Sequence, residues 1–492
     1  MIRQKLSGIA FLYIFLAVAT LSLSGCGGST DGTSFFTGGS SNNPVPATVN
    51  ISGTVAGTQI VALNASTNAE AARVTASGTP PTFALSLATG SYRFFLLENE
   101  GTARQRNYLL TQGATTVFTF ASTSNINLNL GFVDTSSGNA VAQNNPLNVA
   151  GVSAGGSDTS IPAALGGTNF AIGDLQGTFS IHQFSASSPV GANPLWERTT
   201  LTINAQGLGT FSNTVDSLGG SNNSSNVQLS LSPAGILTIA GQSNFQGIVW
   251  LDKNKFVAVN GSTDRELIFG QRQPTGLTTA NLAGTWIYSQ ISSDSPLGGS
   301  PTWGHGTMVF DANGNAVQSN DTNSDSGPSN GPIGAFAVAA DGTVTQAQDN
   351  TIHLTLSQDL NFMVGTGDLG QPALFTLVRQ TGAFTPADLG GSWNSRGLAL
   401  VRTTPPTTEQ ALWRRAKISV NGATGAATVS SAVVSPPATA SNGSIGNWSI
   451  SAAGIVTSAS DATLFGIMSP EKNHITFTSG TNPFRELFVL NR

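Results

Sequence analysis

Asp174-Leu175-Gln176-Gly177-Thr178-Phe179 returns as Asn281-Leu282-Ala283-Gly284-Thr285-Trp286 and again as Asp388-Leu389-Gly390-Gly391-Ser392-Trp393, with Gly177, Gly284 and Gly391 spaced 107 residues apart. A second tryptophan follows in each copy, at Trp196, Trp303 and Trp413. Each copy then closes on an apolar run ending in arginine: RELIFGQR at Arg272, PALFTLVR at Arg379 and RELFVLNR at Arg492. Three anchors recurring in one order define a tandem repeat, and self-similarity has to be settled before a fold is assigned. The copies run over 168–274, 275–382 and 383–492.

Within the first copy, alternating apolar residues predict eight short strands, at 177–184, 197–204, 208–214, 226–232, 236–242, 246–251, 255–260 and 265–272. Polar turns such as Asn204-Ala205-Gln206-Gly207 and Ser232-Pro233-Ala234-Gly235 join several of them. Eight meandering strands suit an up-and-down barrel, which removes exposed sheet edges by closing on itself. Two four-stranded propeller blades per copy, six in all, are the alternative. The hairpin length of 231–236, between the fourth and fifth strands, favours the barrel. Phe211, Trp250 and Phe256 are large enough to fill its interior.

Composition points the same way. Charged residues make up 9% of the 492, against about 25% in an ordinary soluble domain, and 57 are glycine. That argues against helical bundles and coiled coils, and for an all-β chain of many strands joined by polar turns. A formal net charge of -5 supplies no basic footprint for nucleic acid. One cysteine excludes an intrachain disulfide framework and a thiolate metal cluster, and nothing in the sequence calls for a cofactor.

Arg3 and Lys5, the apolar run from Ile9 to Leu23 and the small residues after it make 1–25 a secretory signal. Residues 26–48, rich in Gly, Ser, Asn and Pro, are a flexible tether. From Val49 the pattern becomes alternating, so 49–133 is a small β domain, and the Gly/Ser/Ala/Asn-rich stretch 134–167 is a linker.

Leu23-Ser24-Gly25-Cys26 resembles the lipobox of bacterial lipoproteins. The resemblance implies that Cys26 is lipid-modified, carrying acyl chains such as palmitate, and becomes the first residue of the mature chain. With Gly27 rather than aspartate after it, the resemblance implies the outer membrane, with the membrane itself as partner through the N-terminal lipid. The order of ISGTV, IVALN and TFALSLATGSYRF, with Gly90 and Tyr92 at a tight turn, resembles transthyretin-like modules of the carboxypeptidase-regulatory type. That resemblance implies that 49–133 is a small β-sandwich serving as a spacer or binding module with no catalytic residue. The Gly-x-Trp opening and terminal arginine of each copy resemble the lipocalin and calycin signature. There a guanidinium lies across the indole where first and last strands meet and closes the barrel base. The matching residues are Gly284, Trp286 and Arg379, then Gly391, Trp393 and Arg492; the first copy departs with Gly177, Phe179 and Arg272. Lipocalin-like barrels imply small apolar ligands.

Catalytic and metal signals are sparse. His182, His305, His353 and His474 fall on different strands or turns with no metal-ligand spacing, and no G-x-S-x-G elbow occurs. Glu266 with Asp264, or Glu486 with Glu471, are the carboxylate pairs conceivable for a glycan hydrolase, although solvated strand faces are the favoured reading. Asp321, Asn323 and Asp325 place oxygens at alternate positions, as calcium loops do. The sixth-position glycine and a closing glutamate are missing, so a flexible polar loop is favoured. Trp196, Trp303 and Trp413 are candidate binding aromatics for an envelope glycan or protein if exposed at a rim, and plugs between units if not. The expectation is therefore a noncatalytic, lipid-anchored envelope protein with a binding or surface-structural role. A carrier of small apolar ligands is the alternative, and an envelope hydrolase is more remote.

Overall fold

The computed structural model describes residues 47–55, 59–78, 80–187, 195–220, 226–261, 264–293, 301–324, 329–368, 371–401, 410–435, 440–480 and 484–492. The lipobox, Cys26, the tether as far as residue 46 and Asp325 lie outside them. The described residues are all-β, with a few 3-10 turns and no α-helix. Each of the three copies is a closed eight-stranded antiparallel barrel. Barrel I closes where Gly177–Ser187 pairs with Asp264–Arg272, barrel II where Gly284–Ser292 pairs with Pro372–Arg379, and barrel III where Gly391–Val401 pairs with Phe484–Asn491. Hydrogen bonding between first and last strands rules out the propeller.

The closing strands are apolar on both faces. Along the first strand of barrel I, Phe179 and Ile181 point inward, while Phe184 and Ala186 point outward into a second cluster. Barrel II does the same with Trp286 and Tyr288 inside and Ile287 and Ile291 outside; barrel III has Trp393 inside and Leu398 and Leu400 outside. The outward residues of all three barrels merge into one core.

This core is cyclic. The first two strands of barrel I pack on the last two of barrel II, those of barrel II on the last two of barrel III, and those of barrel III on the last two of barrel I. A head-to-tail contact that closes after three steps is a ring, here made within one chain. At its centre Trp250 meets Phe362 (4.9 Å between ring centroids) and His474 (3.9 Å), with the Lys255 ammonium 5.2 Å from the indole. Trp250, expected to fill barrel I, therefore packs outside it, at the junction. Phe256 does fill the interior, 5.8 Å from Phe179, and Phe211 packs on the same cluster.

The N-terminal domain departs from the expected sandwich and linker. Its ten strands form one curled, nearly closed sheet, because Ala140–Ala142 bonds to both Arg106–Thr111 and Ile126–Asp134. Val152–Gly156 adds a further strand along Val117–Phe120. Both short strands lie in 134–167, where small residues conceal the pattern although Ala140, Ala142 and Val152 are buried. Arg106, fully buried, fixes this domain to the ring: it donates to Ala234 O and Val249 O of barrel I and to Asn491 Oδ1 and Arg492 O of barrel III. Lys417 of barrel III meets Glu98 and Tyr108 in the same buried layer.

His182, on the outer face of barrel I, contacts Thr355 Oγ1 of barrel II at 2.9 Å. Burial holds its pKa down to about 3, and burial also lowers those of His305, to about 4, and His474. The unfolded chain takes up these protons below about pH 6.5, whereas the folded chain does not, so the stability due to neutral His182 is lost as pH falls from there. Glu266, raised by burial to about 7, acts in the opposite direction. The informative quantity is therefore a difference: between pH 7 and 5 His182→Gln should lose about 2 kcal/mol less unfolding free energy than the parent, measured by urea denaturation.

Candidate functional site

Each barrel base is built from the repeated hexapeptide. A 3-10 turn, Ile172–Leu175, Thr279–Leu282 or Pro386–Leu389, drives a buried leucine into the floor. The next strand starts at Gly177, Gly284 or Gly391, with φ of 135°, 136° and 117°. Glycine is required twice over at Gly177: its φ disfavours a side chain, and a Cβ would lie 2.4 Å from Arg272 Nη1. The arginines bond the turn carbonyls: Arg272 those of Asp174 and Gln176, Arg379 those of Asn281 and Ala283, Arg492 those of Asp388 and Gly390. Their guanidinium carbons sit 4.7 Å from the Phe179 ring, 4.5 Å from Trp286 and 3.7 Å from Trp393. Trp286 and Trp393 also donate Nε1–H to Leu282 O and Leu389 O, a bond that Phe179 cannot make. The same guanidinium-over-ring closure thus seals the base in all three copies, with the indole hydrogen bond added in barrels II and III.

The interiors differ. Barrel II encloses a cavity of about 760 Å³, against about 220 Å³ in barrel I and 350 Å³ in barrel III. Equivalent positions explain the gap. Where barrel III has Phe477, stacked on Phe488 at 4.8 Å and 12°, barrel II has Gly365 opposite Phe375. Where barrel I has Phe256 packed over Gly270, barrel II has Met363 opposite Leu377. On the second strand, Glu197 of barrel I and Arg414 of barrel III correspond to Gly304, the cross-strand partner of Gln290.

Barrel II fills part of that freed space with a polar group of its own. Tyr288 donates its hydroxyl to Asp321 and accepts from Gln318 Nε2 at 2.9 Å. Asp321 Oδ2 also accepts from Ser329 N at 2.7 Å and Asn323 Nδ2 at 3.2 Å. Burial and the Asp321 carboxylate push the Tyr288 phenol up, so it stays a donor. Asp321 follows the β-bulge at Asn320 (φ 52°), which turns its side chain inward, and bulges recur at Asn213 and Ser431 in the other copies. The equivalents of Tyr288, Gln318 and Asp321 are Ile181, Phe211 and Thr214 in barrel I and Ser395, Val429 and Ala432 in barrel III.

The remaining sequence candidates are dispersed. Asp321 and Asn323 belong to the strand Asn315–Asn323 rather than to a calcium-type loop, and Asp321 is taken up by Tyr288 and Ser329; no cluster of metal-ligating residues occurs among the described residues. The second tryptophans are not rim aromatics: Trp196, Trp303 and Trp413 are 5%, 7% and 3% exposed. Trp303 donates Nε1–H to Gly480 O of barrel III and Trp413 to Gly261 O of barrel I, so they key one barrel into the next. His182, His305 and His474 lie in the seams, His305 between Trp303 and Phe465, while His353 bonds Asn350 O beside them. Glu266 lines the barrel I cavity and Asp264 is exposed, whereas Glu486 pairs with Arg414 inside barrel III and Glu471 meets Asn361 of barrel II; neither carboxylate pair converges on one site. Tyr288 and Gln318 escaped the sequence reading. The signal available was the replacement of apolar repeat positions by polar residues in a single copy.

The chain matches no protein-family model and no curated protein. Among solved structures it is similar to the isotype 1 transferrin binding protein B from serogroup B Neisseria meningitidis. The identity is 8% over 64% of this chain and 76% of that one, with a TM-score of 0.22. It is also similar to a protein of unknown function of the DUF3598 family from Nostoc punctiforme, 13% identical over 43% of this chain and 99% of that one, with a TM-score of 0.16.

Tyr288→Phe leaves Asp321 and Gln318 without their shared hydroxyl and should cost about 1–3 kcal/mol in chemical denaturation. Installing the barrel I set, Tyr288→Ile with Gln318→Phe and Asp321→Thr, should recover most of that loss, because it removes the polar partners together.

Proposed function

We propose that this is an exported, lipid-anchored, noncatalytic binding protein of the bacterial cell envelope, in which barrel II is the chamber for a small ligand. The observation that carries the reading is the asymmetry of the interiors: three barrels share one closure and one set of seams, yet the middle one keeps about 760 Å³ free. That is within the range of pockets for drug-sized molecules, about 300–1,000 Å³. Barrels I and III and the N-terminal domain then act as its rigid mount. The domain's Gly90-Ser91-Tyr92 corner, similar to transthyretin-like spacers, suits a spacer between tether and ring.

The anchor in this reading is Cys26 behind Leu23-Ser24-Gly25, acylated and held in the outer membrane. Each buried methylene contributes about 0.8 kcal/mol, so two or three chains give stable attachment. Cells fed labelled palmitate should incorporate it into the chain, and Cys26→Ala should abolish both labelling and membrane fractionation; label retained in that variant would remove the anchor from the account.

The chamber is tested with a neutral fluorescent dye, N-phenyl-1-naphthylamine, titrated into the purified protein. One saturable site per chain is expected. Gly304→Phe should weaken binding by about tenfold or more, since a Cβ at Gly304 meets nothing closer than 3.7 Å and the ring would enter the chamber without displacing backbone. Absence of saturable binding, or full retention in Gly304→Phe, would refute the chamber.

A further inference from the structure

We propose that the ligand of barrel II is a cationic amphiphile, an alkyl- or arylammonium with an apolar body, whose charge sits at Asp321. This rests on barrel II being a ligand chamber and adds the ligand's chemical class. Much of the cavity lining is apolar, including Met308, Phe310, Leu354, Met363 and Leu377. The same lining carries Asp321 and Asp349 among neutral amides and hydroxyls, and among the described residues no Lys, Arg or His lines the cavity.

Asp321 is 8% exposed and forms no ion pair among the described residues. Its carboxylate is fixed by bonds from Tyr288, Ser329 N and Asn323. Those donors orient the group but bring no positive charge. His305, across the second strand, is stacked between Trp303 and Phe465 and kept neutral by burial. A buried carboxylate is costly without a counter-charge, so an entering ammonium gains what a neutral head would not. A fatty-acid carboxylate would instead face like charge in a space shielded from water. Phe336 and Phe375 also put aromatic rings in the lining, and an aromatic ring attracts a cation at its face.

The sister barrels show the contrast. Barrel III neutralises its own cavity acid, with Arg414 Nη1 3.2 Å from Glu486 Oε2. Barrel I bonds Glu266 to Asn260 at 2.7 Å in a cavity of about 220 Å³. An acid without a counter-charge and room for a body coincide in barrel II.

The test is calorimetric titration of the purified full chain with decylammonium, decanol and decanoate at neutral pH, each below its micellar concentration. Decylammonium should bind at least about tenfold more tightly than decanol, and decanoate more weakly than either. Asp321→Asn should bring the ammonium-to-decanol ratio close to one. Gly304→Lys, which adds a cation to the chamber and leaves Asp321 in place, should reverse the order in favour of decanoate and gives an independent reading if Asp321→Asn fails to fold. Equal binding of decanoate and decylammonium, or an undiminished ammonium preference in Asp321→Asn, overturns the cationic class while bound decanol keeps the chamber. If none of the three binds, the chamber falls too.

Discussion

Each barrel must bury apolar surface on two faces at once, and the rest of the architecture follows from that requirement. A closed barrel satisfies its backbone and hides its inner face, but Phe184, Ile291 and Leu400 point outward and need cover. The last two strands of a sister copy supply that cover, and the three copies close into a ring. At ~25 cal/mol per Å² of apolar surface removed from water, such seams outweigh any single polar contact between barrels. Polar contacts set the register instead: Trp303 on Gly480, Trp413 on Gly261, and Arg396 on Gln246.

Closure of the ring leaves the chain ends to be placed. Arg106 binds two barrels and the last residue together, and four acceptors surround its guanidinium, so a buried cation that would otherwise destabilise the fold becomes a fixed junction. Lys417 and Glu98 repeat the device beside it. Partners drawn from the N-terminal domain, barrel I and barrel III explain why the domain sits on the ring rather than swinging from it.

With base and seams common to all three copies, variation is confined to the inward positions that neither closure nor packing uses. Barrel I spends them on phenylalanine, barrel III on Trp448, Phe477 and Phe488, and barrel II on Gly304, Gly365, Tyr288, Gln318 and Asp321. A scaffold so constrained can change one interior without altering its neighbours. This is the physical basis for proposing the middle copy as the binding chamber.

Much of this was legible in the chain itself. The hexapeptide repeat and terminal arginines of each copy, with the strand count and the hairpin-length join at 231–236 in the first, point to three closed all-β units, because alternation, turn chemistry and strand count are local properties. The resemblance to the calycin signature implied pairing Arg379 with Trp286 and Arg492 with Trp393, and each guanidinium does lie over its indole. What the sequence left open was which apolar face looks where: Trp250 and the second tryptophans are as apolar as any core residue, and only the neighbouring barrel makes the outside of a strand an interior. The short strands within 134–167 were invisible for a related reason, since alanine and glycine carry no periodic signal until a sheet edge pairs with them. The cavity too belongs to the tertiary level. A volume is the difference between what eight strands enclose and what their side chains fill, and that difference exists only once the barrel has closed.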